Sequence, residues 1–171
     1  MFEDKMIKKT SLDSKKKYSK FIESKPNFFP KKVTDYISIS HLKNSFEFDI
    51  VFKNSVYFHK NFLTINAMRT SDFSYKIRNK KQGRVIESSI LLGFSINKKV
   101  GKANKRNLIK RRLKAIMQNL VKEKKLYNLT LIFVARKEIL NLSFTDLQNH
   151  INYSLKKLNQ MLSKNSKFNK L

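Results

Sequence analysis

The 171-residue chain has no cysteine and no tryptophan, and it contains only two prolines and three glycines. Without cysteine it can form neither a disulfide nor a thiolate site, which is compatible with a reducing compartment such as the cytoplasm. No apolar run approaches the ~20 residues of a membrane-spanning helix, so no membrane partner is expected. Gly83, Gly93 and Gly101 are too scattered to form a phosphate-binding loop.

Acidic residues are also scarce, because 12 Asp and Glu stand against 38 Lys and Arg, which gives a net charge of +26. None of them falls between Ser88 and Lys122. The scattered carboxylates form no cluster for catalytic metal ions, and His41, His59 and His150 share no metal-ligand spacing. We therefore expect no metal site and no catalytic residue on the protein, and we predict a chain that binds a polyanion.

The length of the chain suits one domain with a hydrophobic core and additional tails. Residues 1–36 are rich in Lys and Ser, carry both prolines and show no hydrophobic period. This composition predicts a basic, disordered extension, which is either part of a binding surface or a solvated tail. Residues 37–162 are predicted to form the folded domain, and residues 163–171 a short basic tail.

Helical and strand periods alternate along the predicted domain. Asn44 followed by Glu47 predicts a capping box that opens a helix ending near Asn54. Three apolar runs have strand character: Val56–Met68, Ile90–Ile96 and Leu129–Ala135. The polar stretch at Thr70–Arg84 is predicted to be a loop. Ser143 with Asp146 predicts the start of a last helix. The apolar stripe of that helix is Leu147, Ile151, Leu155, Leu158 and Leu162.

This order, αβββαβα, predicts a single α/β sandwich domain of the α+β class. Helices are expected to pack on a mixed sheet of about four strands. The strands before and after the basic segment are expected to be parallel, because a helix connects them.

The most basic part of the chain also has a helical period. An apolar stripe predicts a helix over residues 102–122 that packs on the core: Ile109, Leu113, Ile116, Met117 and Leu120. The opposite face carries Asn107, Arg111, Lys114 and Gln118. Three of the seven arginines, Arg106, Arg111 and Arg112, lie within seven positions, and guanidinium groups recognise phosphate through several hydrogen bonds. Entered through a turn at Gly101, this helix is predicted to contact several phosphates at once.

The first predicted helix has apolar residues on two sides. Phe46 and Ile50 lie on one side, and Phe48, Val51 and Phe52 lie on the other. One side packs on the core. The second is either more core or an aromatic surface on which an unpaired base can stack.

Residues 91–114 read LLGFSINKKVGKANKRNLIKRRLK. This string resembles the signature of the bacterial ribonuclease P protein subunit, in which a strand ending G-x-S-x-x-K-K precedes x-G-x-A, an Arg-Asn-Arg core and Ile-Lys-Arg. The matching residues are Gly93, Ser95, Lys98, Lys99, Gly101, Ala103, Arg106, Asn107, Ile109, Lys110 and Arg111. Residues 42–53 and 133–144 resemble the first helix, last strand and start of the last helix of that family.

The chain departs from the family pattern at two positions. Leu108 stands where the Arg-Asn-Arg core has its second arginine, which removes a phosphate or base contact. Arg112, one turn on and near the same side of the helix, is a candidate replacement. Ile65 stands near the position of an aromatic residue on the second strand of the family, which removes a stacking partner.

The resemblance implies the protein subunit of a ribonucleoprotein endonuclease that removes the 5′ leader from precursor tRNA in the cytoplasm. In that family the RNA subunit holds the Mg²⁺ ions and performs the hydrolysis. The implied partners are the ribonuclease P RNA and precursor tRNA, with no obligate protein partner. The alternative is a ribosomal or RNA-assembly protein without processing activity, and a nucleoid protein would also bind duplex DNA.

The resemblance also implies two groups of binding residues. The group that would dock on RNA is Lys98, Lys99, Lys102, Arg106, Asn107, Lys110, Arg111, Arg112 and Lys114. A cleft between the first helix and the sheet would hold the single-stranded leader, with Phe48, Phe52 and Lys60 as its contacts.

Overall fold

The computed structural model describes residues 37–78, 85–123 and 126–168. These residues form five strands and four α-helices, with two short 3₁₀ turns. The elements are β1 (Ile39–His41), α1 (Ser45–Asn54), β2 (Val56–Lys60), β3 (Leu63–Arg69), α2 (Thr70–Arg78), β4 (Ile90–Ile96), a 3₁₀ turn (Lys98–Val100), α3 (Ala103–Lys122), β5 (Leu129–Ala135), a second 3₁₀ turn (Lys137–Asn141) and α4 (Phe144–Phe168). The predicted extension over residues 1–36 lies outside the described residues.

The five strands form one sheet in the order β1-β4-β5-β3-β2. β1, β4 and β5 are parallel, whereas β3 is antiparallel to both β5 and β2. The prediction of a mixed sheet with a parallel strand–helix–strand unit, β4–α3–β5, is confirmed. The sheet has five strands, where about four were predicted. The run at Val56–Met68 is a hairpin that turns at Asn61 and Phe62. β1 was missed because three residues are too few to show an alternating pattern.

Strand alternation divides the core between the two faces of the sheet. On one face, α3 and α4 pack with Ile65, Leu92 and Phe133. All five residues of each predicted apolar stripe are buried there. α4 continues to Phe168, into the segment that was predicted to be a tail. Among the helices that the structure describes, none is both long and apolar enough to span a membrane.

α1 and α2 lie on the other face, where they pack with Leu91 and Ile132. Gly93 lies directly beneath α1. A Cβ atom there would be 2.8 Å from Leu42 Cδ1 and 2.9 Å from Phe48 Cζ, which is closer than carbon atoms approach. Glycine at this position therefore allows α1 to lie close to the sheet.

Residues 70–78 form helix α2, so the predicted loop over Thr70–Arg84 is wrong in its first part. The start of α2 depends on a distant residue. Asn128 accepts the Thr70 N–H through its carbonyl oxygen (3.2 Å) and the Ser71 N–H through Oδ1 (3.0 Å). Phe73 and Ile77, one helical turn apart, are fully buried. A single apolar pair in a polar stretch gave too little periodicity to predict this helix.

Capping hydrogen bonds confirm the two helix starts that the sequence predicted. Asn44 Oδ1 accepts the Glu47 N–H (2.9 Å), and Glu47 Oε2 accepts the Lys43 N–H (2.7 Å). At the start of α4, Ser143 Oγ accepts the Asp146 N–H (3.1 Å). Caps of this kind stabilise a helix by about 1 kcal/mol each.

Candidate nucleic-acid interface

A tight turn after β4 sets the start of α3. Asn97 Oδ1 accepts the Lys99 N–H (2.9 Å), and Val100 is buried, which anchors the turn to the core. Gly101 has a φ of 149°, a conformation that residues with a Cβ rarely adopt. The turn therefore requires glycine, and it leaves Lys98 and Lys99 exposed.

The outer face of α3, together with this turn, carries most of the predicted RNA contacts. Seven of the nine are exposed: Lys98, Lys99, Lys102, Asn107, Lys110, Arg111 and Lys114. Arg106 and Arg112 are half-buried, and Arg106 Nε is buried without a hydrogen-bond partner among the described residues. Because the apolar stripe packs on the sheet, Asn107, Arg111 and Lys114 align on the side facing solvent.

Arg112 has a contact within the protein that the sequence did not predict. Its Nη1 donates to the carbonyl oxygen of Leu142 (3.0 Å), in the segment between the second 3₁₀ turn and α4. Leu108 is 38% exposed and presents an apolar side chain. Arg112 is thus engaged in holding α3 to the start of α4, rather than free to replace a guanidinium group at position 108.

β1 adds a histidine next to α3. The His41 ring lies 6.2 Å from the Phe94 ring, centroid to centroid. Partial burial and the positive charge of Lys114 lower the pKa of His41 below its ordinary value of 6.5, so this side chain is neutral at pH 7. His41 was not predicted as a site residue, because β1 is too short to show a strand pattern and its partner β4 lies some fifty residues along the chain.

The face of the sheet that carries α1 is only partly covered. One row of cross-strand neighbours runs over four strands there, from Ser95 on β4 through Val134 and Thr64 to His59 on β2. None of the four is fully buried, and His59 Nδ1 lies 2.8 Å from Thr64 Oγ1. With strands ~4.8 Å apart, the row is about 14 Å long. We call these four residues the open row.

Two aromatic side chains of α1 lie near the open row. Phe48 is half-buried above Gly93, which belongs to the adjacent row on the same face. The Phe52 ring lies 6.3 Å from the Phe48 ring and is 44% exposed. Val51, by contrast, is fully buried. The second side of α1 therefore contains core at Val51 and an exposed aromatic surface at Phe52.

Lys60 does not lie with these aromatic residues, so its predicted place in the same cleft is wrong. The register pairs Lys60 with Leu63, on the face that carries α3 and α4. Its Nζ lies 5.9 Å from the centroid of the Phe58 ring. Phe48 and Phe52 belong to the opposite face. The side on which Lys60 points depends on the exact residue at which the hairpin turns.

Arg136 supplies a cation on the face that carries the open row. It follows β5, two residues after Val134, and its N–H donates to the Phe62 carbonyl oxygen (3.0 Å), which continues the strand pairing. Alternation therefore places Arg136 on the same face as Val134. Arg136 is exposed. It belongs to the string FVARK, residues 133–137, which resembles the last strand of the family, so the resemblance contained a signal for this residue.

Comparisons with known proteins identify the same family that the string at residues 91–114 resembles. The family model described as Ribonuclease P matches residues 38–159. The ribonuclease P protein component of Helicobacter acinonychis is 37% identical over 125 residues, which cover 71% of this chain and 76% of the relative. That of Helicobacter hepaticus is 36% identical over 118 residues, which cover 64% and 77% respectively.

The solved structures show the same fold. The Staphylococcus aureus RNase P protein aligns with a TM-score of 0.53 at 21% identity, over 68% of this chain and 92% of that chain. A second structure of that protein, a mutant with defective mRNA degradation activity, aligns with a TM-score of 0.53 at 22% identity. The α+β architecture with a mixed sheet is therefore common to both proteins.

Proposed function

We infer how this chain works from the premise that it belongs to the ribonuclease P protein family, whose model covers most of the folded domain. It is the accessory protein subunit of an endoribonuclease that processes the 5′ end of tRNA, and its membership implies ribonuclease P RNA as a partner. We assign RNA docking to the outer face of α3 and precursor binding to the open row. We place this activity in the cytoplasm, where precursor tRNA would be its substrate.

The observation that carries the docking proposal is the exposed, cationic face of α3. Asn107, Arg111 and Lys114 align there, and the exposed lysines of the preceding turn extend the surface. Because α3 contains no Asp or Glu, no carboxylate of the helix competes with phosphate for these side chains. Each phosphate that the face neutralises releases condensed counterions, which favours binding at moderate salt.

The leader of precursor tRNA is assigned to the open row. Phe52 offers an exposed ring on which an unpaired base can stack. Arg136 offers a guanidinium group for a phosphate on the same face. Stacking and phosphate contacts do not read base identity, so this surface suits a leader whose sequence varies among precursors.

Mg²⁺ is assigned to the RNA subunit. Within the described ranges, no group of three or more His, Asp or Glu side chains is arranged to hold a metal ion. When bound to the RNA, Mg²⁺ would activate the attacking water and stabilise the leaving oxygen. The residues of this chain bind and orient the two RNAs.

Reconstitution tests this function. The full chain is mixed with a bacterial-type ribonuclease P RNA and precursor tRNA at low Mg²⁺, and 5′ cleavage is expected only when the protein is present. Absence of cleavage with several such RNAs would contradict the proposal. Crosslinking in cells provides a second test, because a ribosomal or assembly protein would recover ribosomal RNA as its dominant partner.

A further inference from the structure

A second surface without carboxylates lies where α4 packs beside β2. No Asp or Glu occurs in residues 50–71 or in residues 147–171. The two segments meet in the fold, because α4 packs on β2. At their junction the Phe58 and Tyr153 rings make an edge-to-face contact, with centroids 5.9 Å apart. The docking and leader sites proposed above use neither ring.

Lysine side chains lie beside both aromatic rings. Lys60 Nζ is 5.9 Å from the Phe58 centroid, and Lys157 Nζ is 5.6 Å from the Tyr153 centroid. Lys164 lies two turns beyond Lys157 on the same side of α4. All three lysines are exposed, and Tyr153 is 50% exposed. We call these five residues the β2–α4 flank.

The β2–α4 flank begins where the open row ends. The last residue of the open row is His59, and β2 is the outermost strand at that side of the sheet. Lys60 is the next residue, and strand alternation points it to the opposite face. A polynucleotide that follows the open row outward and turns round β2 therefore meets Lys60 and then Tyr153.

We propose that the β2–α4 flank binds the distal part of the 5′ leader of precursor tRNA as a single strand. The leader phosphates contact Lys60, Lys157 and Lys164, and one base packs on the exposed part of Tyr153. This inference rests on the proposed path of the leader along the open row. Because lysine neutralises phosphates regardless of sequence, the flank raises affinity for long leaders without selecting among them.

The experiment compares Lys157→Ala with Lys156→Ala in the reconstituted holoenzyme. Lys156 is adjacent in sequence and equally charged, but its side chain lies about 100° further round α4, and it borders a cavity lined by Leu120 and Leu126. Affinity is measured for one precursor with a leader of about twelve nucleotides and another with about three. With a slope of about 0.7 per single-strand phosphate contact, Lys157→Ala should weaken long-leader binding about fivefold at 0.1 M salt.

Each outcome of this experiment supports or overturns the assignment. Lys157→Ala should lower the affinity for the long-leader precursor alone, and adding Lys164→Ala should lower it further. The affinities of Lys156→Ala for both precursors should equal those of the wild type. The assignment of the β2–α4 flank would be overturned if Lys157→Ala lowered the affinity for both precursors equally or for neither. It would also be overturned if Lys156→Ala lowered the affinity as much as Lys157→Ala. A wild-type holoenzyme inactive on both precursors refutes the proposed function, whereas an active one insensitive to Lys157→Ala refutes only the flank.

Discussion

Arg111→Ala is the sharpest test of the docking face. Arg111 lies at the centre of the outer face of α3, between Asn107 and Lys114, and is exposed. Alanine is the best helix former, and exposed helix positions tolerate substitution well. The free energy of unfolding should therefore change by less than about 0.5 kcal/mol. A change in RNA binding can then be attributed to the lost guanidinium group.

The expected magnitude follows from counterion release. Loss of one phosphate contact should reduce the slope of log affinity against log salt by about 0.9. At 0.1 M salt this corresponds to an affinity about eightfold weaker, or about 1.2 kcal/mol of binding free energy. At 1 M salt the two proteins should bind almost equally, because the contribution of the contact vanishes there.

The assay is equilibrium binding of labelled ribonuclease P RNA at several salt concentrations. Arg78→Ala is the matched control, because Arg78 is also an exposed helical arginine, at the end of α2 on the opposite face of the sheet. Its affinity and salt slope should equal those of the wild type. An unchanged slope for Arg111→Ala, or an equal loss for Arg78→Ala, would refute α3 as the docking face.

Three further substitutions test individual contacts. Phe52→Ala should weaken binding of precursor tRNA about tenfold through lost stacking, yet leave binding of mature tRNA and Tm unchanged; a fall in Tm alone would make Phe52 part of the core. Arg112→Ala should lower stability by about 1 kcal/mol, because the Leu142 carbonyl loses its donor, while the RNA salt slope stays near that of the wild type; a slope reduced as in Arg111→Ala would contradict this. For His41, the unfolded chain takes up a proton more readily than the folded chain, so the wild type should lose stability as pH falls below 6.5. His41→Asn should lose less stability over that range, which measurements of Tm against pH would show. Parallel curves of Tm against pH for the two proteins would count against the lowered pKa.

Local patterns were sufficient to predict α3. Its apolar stripe repeats over three turns, and the segment before it contains Gly101, which the backbone requires. The sequence therefore predicted both the buried side and the exposed Asn107, Arg111 and Lys114. The same holds for the starts of α1 and α4, since a capping box involves residues only three positions apart.

Features that depend on distant residues could not be predicted in this way. The face on which Lys60 lies follows from a hairpin register, and a shift of one residue would reverse it. α2 begins at Thr70 because of Asn128, and Arg112 is held by Leu142, thirty residues away. The partial covering of one sheet face, which leaves the open row exposed, likewise depends on where α1 and α2 pack.

The central position of β5 has a consequence for biosynthesis. β5 is the strand that joins β4 to β3, so a nascent chain that ends before Leu129 has only two separate strand pairs, β1 with β4 and β2 with β3. Isolated strand pairs are marginally stable in water. The ribosome must therefore release the cation-rich residues 98–122 before the sheet that orients them can close. Until β5 is complete, the segment lacks the sheet that orients its side chains, and only the closed sheet makes it a shaped surface.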